Sequence, residues 1–221
     1  SLSNDGFCSP QSSLTVRSKR RSLHARLPHG VIVDTQVCLQ APRELWLSGV
    51  GDLVSKITAV QDWKLAFHAR GEPVNDLAAL LSDSTVYQFM AQPDHNPHGV
   101  RMLGTALMLN GIAMEIAGSS RPASGSEHLI SHALDRIARQ PRLVAIVQQH
   151  EADRILRLLD QVGFWQYVHE NPFDRDEWLQ AIELAAQLRP ERYTIVSRSD
   201  VQQQLRRLID DEPVLRGCFS R

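Results

Sequence analysis

Apolar positions fall into two regimes along this chain: a short front stretch with strand character, then helix-period spacing to the end. Over residues 14–40 the β-favouring runs are Leu14-Thr15-Val16 on one side and Val31-Ile32-Val33 with Val37-Cys38-Leu39 on the other. Pro28-His29-Gly30 marks a turn between them, so the region predicts a β-hairpin. From Pro42 onward the spacing changes. Val50, Leu53, Val54, Ile57, Val60 and Leu65 recur at three- and four-residue steps, which predicts one apolar stripe on a helix over about 49–68, stopped by Gly71 and Pro73. A second helix is expected over about 74–91, carrying Leu77, Leu80, Leu81, Val86 and Phe89. A third, over about 99–117, is apolar on most sides and holds Gly104 and Gly111 inside it. It reads as central, its glycines allowing close backbone approach at about 1 kcal/mol each against alanine.

Ser124-Gly-Ser-Glu127 has capping-box spacing and predicts a fourth helix from near Gly125, with exposed N-terminal amides beside the loop Gly118-Ser119-Ser120-Arg121-Pro122. Later helices are expected near about 143–161, 174–188 and 199–210, the second of them opened by Asp174-Arg-Asp-Glu177. There is no internal repeat or low-complexity tract. The pattern as a whole is mainly α, a helical bundle with an N-terminal β-hairpin.

Composition narrows the classes of function. The 221 residues are 43% hydrophobic, enough to bury an ordinary core. A net charge of -1, from 24 basic and 25 acidic residues, provides no global field that would gather nucleic acid or anionic lipid. Any anionic ligand must be held locally. Cys8, Cys38 and Cys218 form neither a CxxC pair nor an even disulfide framework, which points to a reducing cytoplasm. No apolar run approaches the roughly 20 residues of a membrane span, so no membrane insertion is expected. The opening Ser1-Leu2-Ser3-Asn4-Asp5-Gly6 is a polar turn that reads as the middle of a longer chain.

Four features could carry chemistry, and each has a plainer reading beside the functional one. Asp52, in Gly49-Val-Gly-Asp52-Leu-Val-Ser55, is either a helix-start carboxylate favoured by the macrodipole or a metal ligand on a rigid element. His128 and His132 lie four apart and so share a helical face, as a surface pair or as part of a divalent-metal site. Asn4-Asp5-Gly6 with Ser9 nearby is an ordinary Asx turn or a polyol contact. The basic stretch Arg17-Ser-Lys-Arg20-Arg21 is a solvated face or a phosphate contact.

Taken together, these blocks resemble one family. Ser3-Asn4-Asp5-Gly6 with Ser9, then Gly49-Val-Gly-Asp52-Leu-Val-Ser55-Lys-Ile-Thr58-Ala-Val-Gln-Asp62-Trp63-Lys64, then Gly118-Ser-Ser-Arg-Pro-Ala-Ser-Gly-Ser-Glu127-His128-Leu-Ile-Ser-His132 are similar to glycerol-1-phosphate dehydrogenases of the iron-alcohol-dehydrogenase and dehydroquinate-synthase superfamily. The last block is the most specific. The resemblance is close over residues 3–143 and looser beyond. It implies a dehydroquinate synthase-like fold, with residues 1–41 a remnant of the nucleotide-binding domain plus the hairpin and 42–221 the helical metal-binding, catalytic domain. On that reading most of the α/β nucleotide-binding half is absent from this chain.

The resemblance also implies roles. Asp52 and His128 would be ligands to a divalent metal, with zinc the first expectation. Asp5, Asp52 and His132 would contact a small-molecule polyol phosphate, and Ser9 the nicotinamide of NAD or NADP. The implied reaction is reversible hydride transfer between NAD(P)H and the ketone of dihydroxyacetone phosphate, giving sn-glycerol 1-phosphate. In it Asp52 and His132 are the catalytic residues, the latter exchanging a proton or holding a hydroxyl. A cytoplasmic homo-oligomer is expected, with no nucleic-acid partner.

Two departures from the family pattern stand out. No glycine-rich pyrophosphate turn precedes Asp5. The family's other metal-binding histidine is expected just after Arg139-Gln140-Pro141-Arg142-Leu143, yet the chain passes straight to Val144. That junction reads as a short deletion, either in the protein or only in the sequence as written, and His150 is the nearest substitute. Two further readings stay open: a related polyol dehydrogenase or dehydroquinate synthase-like lyase, and a shortened non-catalytic binding or oligomerisation module.

Overall fold

The computed structural model describes residues 2–16, 19–137, 152–215 and 217–220. Its front end is a hairpin, with the first arm near the expected place and a different second arm. Strand β1 (Gln11–Val16) pairs antiparallel with β2 (Lys19–His24), from Gln11 opposite His24 to Val16 opposite Lys19. The expected partner, Val31–Leu39, is not a strand. Ile32 is 98% exposed, and Asp34 accepts hydrogen bonds from the amides of Gln36 and Val37, opening helix α1 (Thr35–Leu39). Closing a hairpin onto the adjacent segment costs less chain entropy than closing one across Pro28-His29-Gly30. An aspartate cap then outweighs the β preference of Val37.

The helices follow the apolar spacing. Helix α2 (Arg43–Arg70) extends the predicted stripe by a turn and a half at its start and ends at Gly71, whose amide donates to the Phe67 carbonyl. Asn75 caps α3 (Asp76–Met90) and Asn96 caps α4 (Pro97–Ala117), each through its side-chain oxygen. Helix α5 is Ser126–Ile137, α6 is Ala152–Gln161 and α7 is Phe164–Glu170, an element the spacing did not reveal. A two-residue strand β3 (Phe173–Asp174) leads to α8 (Arg175–Leu188), where the expected Asp174 cap is present on the Glu177 amide. Helix α9 (Ser199–Asp211) and strand β4 (Phe219–Ser220), parallel to β3, complete the chain. The expected start of a helix at 143, and the junction after Leu143, lie outside the described residues.

Two of the apolar cores among the described residues bear on the site. One joins Leu53, Val54 and Ile57 of α2 to Phe89 of α3, Leu103 and Leu107 of α4 and Ile155 and Leu159 of α6. The other joins Leu129, Ile130 and Ala133 of α5 to Ala181 and Ile182 of α8, with Val196 and Ile209. The site described below lies where α2, from the first core, meets α5, from the second.

Helix α4 is central, as its composition suggested. It is also long and apolar enough to cross a bilayer by length and composition, contrary to the expectation of no such run. In the bundle half of that stretch is buried, packed against α3 and the N-terminal segment. Its glycine at 111 has a backbone reason: a Cβ there would lie 1.4 Å from the Cys8 carbonyl oxygen. Gly49 of α2 meets the Leu2 carbonyl in the same way, at 1.9 Å. Residues 2–8 therefore thread between α2 and α4 in contact with bare helix backbone, which holds Asp5 over α2.

Candidate metal and substrate site

Asp5 sits in the first turn of a short 3-10 segment, Asp5–Cys8, capped by the Asn4 side chain on the Gly6 amide. This is the Asx turn of the plainer reading, and it has a second use. The Asp5 amide donates to Asp52 Oδ2 at 3.0 Å. Asp52 lies in the third turn of α2, and one turn further along the same face is Lys56, with no exposed surface at all. The Lys56 ammonium reaches Asp5 Oδ2 at 2.9 Å, Asp52 Oδ1 at 3.0 Å and the Ala123 carbonyl at 3.2 Å. An ammonium has three hydrogens, so this buried cation is fully satisfied.

Helix α5 brings the histidines to the same place. His128 Nε2 lies 3.6 Å from Asp52 Oδ1, and His128 Nδ1 lies 2.7 Å from Glu127 Oε1. His132 is one turn on, its ring centroid 6.4 Å from that of His128 and its Nδ1 3.8 Å from Asp135. Asp5, Asp52 and His128 thus converge, with His132 on the adjoining turn. Ser9 ends the 3-10 segment four residues from Asp5, and its Oγ accepts from the Gln11 amide. Of the basic stretch, Arg17 lies outside the described residues.

The N-terminus of α5 corrects one expectation. Its amides are not exposed: the Ser126 amide donates to Asp62 Oδ2 at 2.6 Å and the Gly125 amide to Glu127 Oε1 at 2.6 Å. The Ser124 hydroxyl, expected to cap the helix, receives Arg192. Asp62 of α2 also accepts from the Ile195 amide, so one carboxylate ties α2, α5 and the segment before α9 together. Arg192 bonds Ser120 and Ser124, and Arg121 pairs with Glu72 and the Tyr193 carbonyl, which fixes the loop between α4 and α5.

Charge and burial act against each other here. Burial alone would raise the Asp52 pKa, but the Lys56 charge and the approach of His128 overcome it and hold the carboxyl at about 2. Asp5 goes the other way, raised by burial and the neighbouring Asp52 charge, with Lys56 as a partial offset. Burial would lower His128, yet Asp52 and Glu127 raise it to about 9. Lys56 is held firmly protonated by the two aspartates in spite of burial. Asp62 is pushed up to about 6 by burial and by the charge of Glu127.

Lys56, Glu127 and Asp62 were not singled out from the sequence as site residues. The i,i+4 spacing of Asp52 and Lys56 inside an otherwise apolar run was a usable signal, since a charge pair there is buried or nearly so.

The donors suit a divalent metal in type and spacing. A tetrahedral zinc with nitrogen and carboxylate ligands at ordinary bond lengths puts those two atoms about 3.3–3.5 Å apart. Asp52 Oδ1 and His128 Nε2, at 3.6 Å, match such an edge and exceed an ordinary hydrogen bond. The fit is incomplete in number. Among the described residues no third histidine, cysteine or carboxylate completes a metal-binding group, and the segment expected to supply one, with His150, lies outside them.

Comparison with known proteins places similar sequences beside this chain. The family model of iron-containing alcohol dehydrogenases matches residues 1–42. The chain is 37% identical over 217 positions to the glycerol-1-phosphate dehydrogenase [NAD(P)+] of Pyrococcus furiosus, covering 91% of this chain and 63% of that protein. It is 39% identical to the protein of that name from Aeropyrum pernix, over 91% and 62%, and 37% identical to that of Methanosarcina mazei, over 88% and 59%. The chain therefore spans about three fifths of the length of these relatives. Along nine tenths of its own length it is similar to these glycerol-1-phosphate dehydrogenases.

Proposed function

We propose that this chain carries the metal and substrate site of an NAD(P)-dependent glycerol-1-phosphate dehydrogenase, interconverting dihydroxyacetone phosphate and sn-glycerol 1-phosphate. The observation behind this reading is the convergence of Asp5, Asp52, Lys56 and His128 from three separate segments. The relatives' names supply the reaction and the cofactor pair.

Asp52 and His128 would hold a divalent ion, with zinc the first expectation from the family resemblance and a donor set that accepts it. When bound, such an ion supplies Lewis-acid stabilisation of negative charge on the substrate oxygen. The protein's own residues do the rest. The Lys56 ammonium pairs with both carboxylates and partly offsets the repulsion between Asp5 and Asp52 where they face a polyol. Asp5 would accept a substrate hydroxyl. His132, on the turn after His128, would bind a hydroxyl or exchange its proton, and Ser9 would contact the nicotinamide. In this reading residues 1–41 belong with the nucleotide-binding side and 42–221 form the helical half of a dehydroquinate synthase-like fold, in a cytoplasmic homo-oligomer.

The decisive assay is oxidation of NADH or NADPH by the full chain, in the presence of zinc, on addition of dihydroxyacetone phosphate. Turnover that yields sn-glycerol 1-phosphate, and is lost in Asp5→Asn and in His132→Ala, is the expected result. Turnover with other ketoses but not with this one would transfer the site to a related polyol dehydrogenase. A folded, zinc-loaded protein with no hydride transfer to any ketose would leave the non-catalytic module.

A further inference from the structure

We propose that Glu127 is a positioning residue for His128: it fixes the imidazole as the Nδ1–H tautomer and aims the bare Nε2 at Asp52. This deepens the reading of His128 as a metal ligand, and part of it is testable without that reading.

Glu127 is the second residue of α5 and has no exposed surface. A carboxylate in that place is costly unless it is bonded. Oε1 accepts from the Gly125 amide at 2.6 Å and faces His128 Nδ1 at 2.7 Å. An ionised carboxylate has no proton to give, so the hydrogen in the second contact lies on Nδ1. In the neutral ring Nε2 is then a lone pair. That lone pair faces Asp52 Oδ1, a second acceptor, at 3.6 Å. Two acceptors so placed favour a cation held between them.

The surroundings hold Glu127 in this role. A Cβ on Gly125 would fall 2.7 Å from Asp62 Oδ2 and 2.8 Å from Glu127 Oε2, so the glycine of this segment makes room for both carboxylates. Glu127 Oε2 is buried without a hydrogen-bond partner, so the bonding of the carboxylate runs through the oxygen that faces the imidazole. Metal-ligating histidines commonly donate their other ring N–H to a carboxylate, and loss of that partner weakens metal affinity about 10–100-fold.

The test uses the full chain and its isosteric Glu127→Gln variant. Zinc dissociation constants, measured by chelator competition, are expected to be about 10–100-fold weaker in the variant. Nitrogen-15 spectra of the His128 ring in zinc-free protein, taken above the pH at which the ring loses its extra proton, are expected to show Nδ1 carrying hydrogen and Nε2 bare. Glu127→Asp, which keeps the charge and retracts it, is expected to recover part of the affinity. A variant that binds zinc within threefold of the parent, or a parent ring that is the Nε2–H tautomer, overturns the proposal. If Glu127→Gln does not fold, the parent spectrum alone decides. If His128→Ala binds zinc as tightly as the parent, the metal reading fails while the tautomer result stands by itself.

Discussion

Replacing Lys56 by methionine removes a cation that the structure buries completely between two carboxylates. Its three hydrogens meet Asp5, Asp52 and the Ala123 carbonyl at 2.9, 3.0 and 3.2 Å. Methionine fills a similar volume, so the loss is electrostatic. Removing one partner of a buried ion pair costs about 3–5 kcal/mol, because the remaining charge stays desolvated. The pH dependence follows from the sign of the Asp52 shift. In the parent its carboxyl is held at about 2 against an ordinary 3.8. That pairing contributes stability at any pH above 3.8, and the contribution is lost as pH falls toward 2. In the variant, Asp5 and Asp52 lose the cation and take up protons at higher pH, so acid relieves the penalty. Urea denaturation of Lys56→Met and parent is expected to differ by about 3–5 kcal/mol at pH 7.5, with the gap narrowing clearly by pH 4.5. A gap under about 1 kcal/mol at pH 7.5, or one that does not change with pH, would refute the assignment of Lys56 as the buried counter-ion.

Further consequences can be measured independently. In zinc-free protein His128 titrates at about 9 against an ordinary 6.5, so its contribution, about 3 kcal/mol at most, is complete below 6.5 and lost as pH rises through 9. Denaturation from pH 6 to 9.5 should show that decline in the parent and a flatter profile in His128→Ala. Gly111→Ala sets a Cβ 1.4 Å from the Cys8 carbonyl and should cost about 2–3 kcal/mol or more by overpacking, read as a lower Tm. The same variant should weaken substrate binding, because residues 2–8 carry Asp5. Asp62→Ala leaves the Ser126 and Ile195 amides without their acceptor and should cost about 2–4 kcal/mol by chemical denaturation.

The helices were legible where caps and period agreed. Asp174 in front of α8 and Gly71 behind α2 were read from the sequence, whereas the Asn75 and Asn96 caps of α3 and α4 were not. The second hairpin arm was not legible, because Lys19–His24 is too charged to read as a strand and is set by its pairing with β1. Helix α7 is seven residues long, too short for a period to show. At the site, Asp52, His128, His132 and Asp5 were found through motif order. Lys56, Glu127 and Asp62 were not: a charged residue in sequence reads as exposed, and apart from the Asp52–Lys56 spacing only tertiary contact reveals that these three are buried. The placement of Asp5 depended on Gly49 and Gly111 meeting the backbone of residues 2–8, a contact no local pattern encodes.

The central claim is that Asp52 and His128 hold one divalent ion at the meeting of α2 and α5. The direct measurement is zinc stoichiometry and affinity in the parent, Asp52→Asn and His128→Ala, on folded protein stripped of metal and reloaded. One ion per chain in the parent, with binding lost or greatly weakened in both variants, is the predicted result. A parent that takes up no zinc, or variants that bind it as tightly as the parent, would contradict the account.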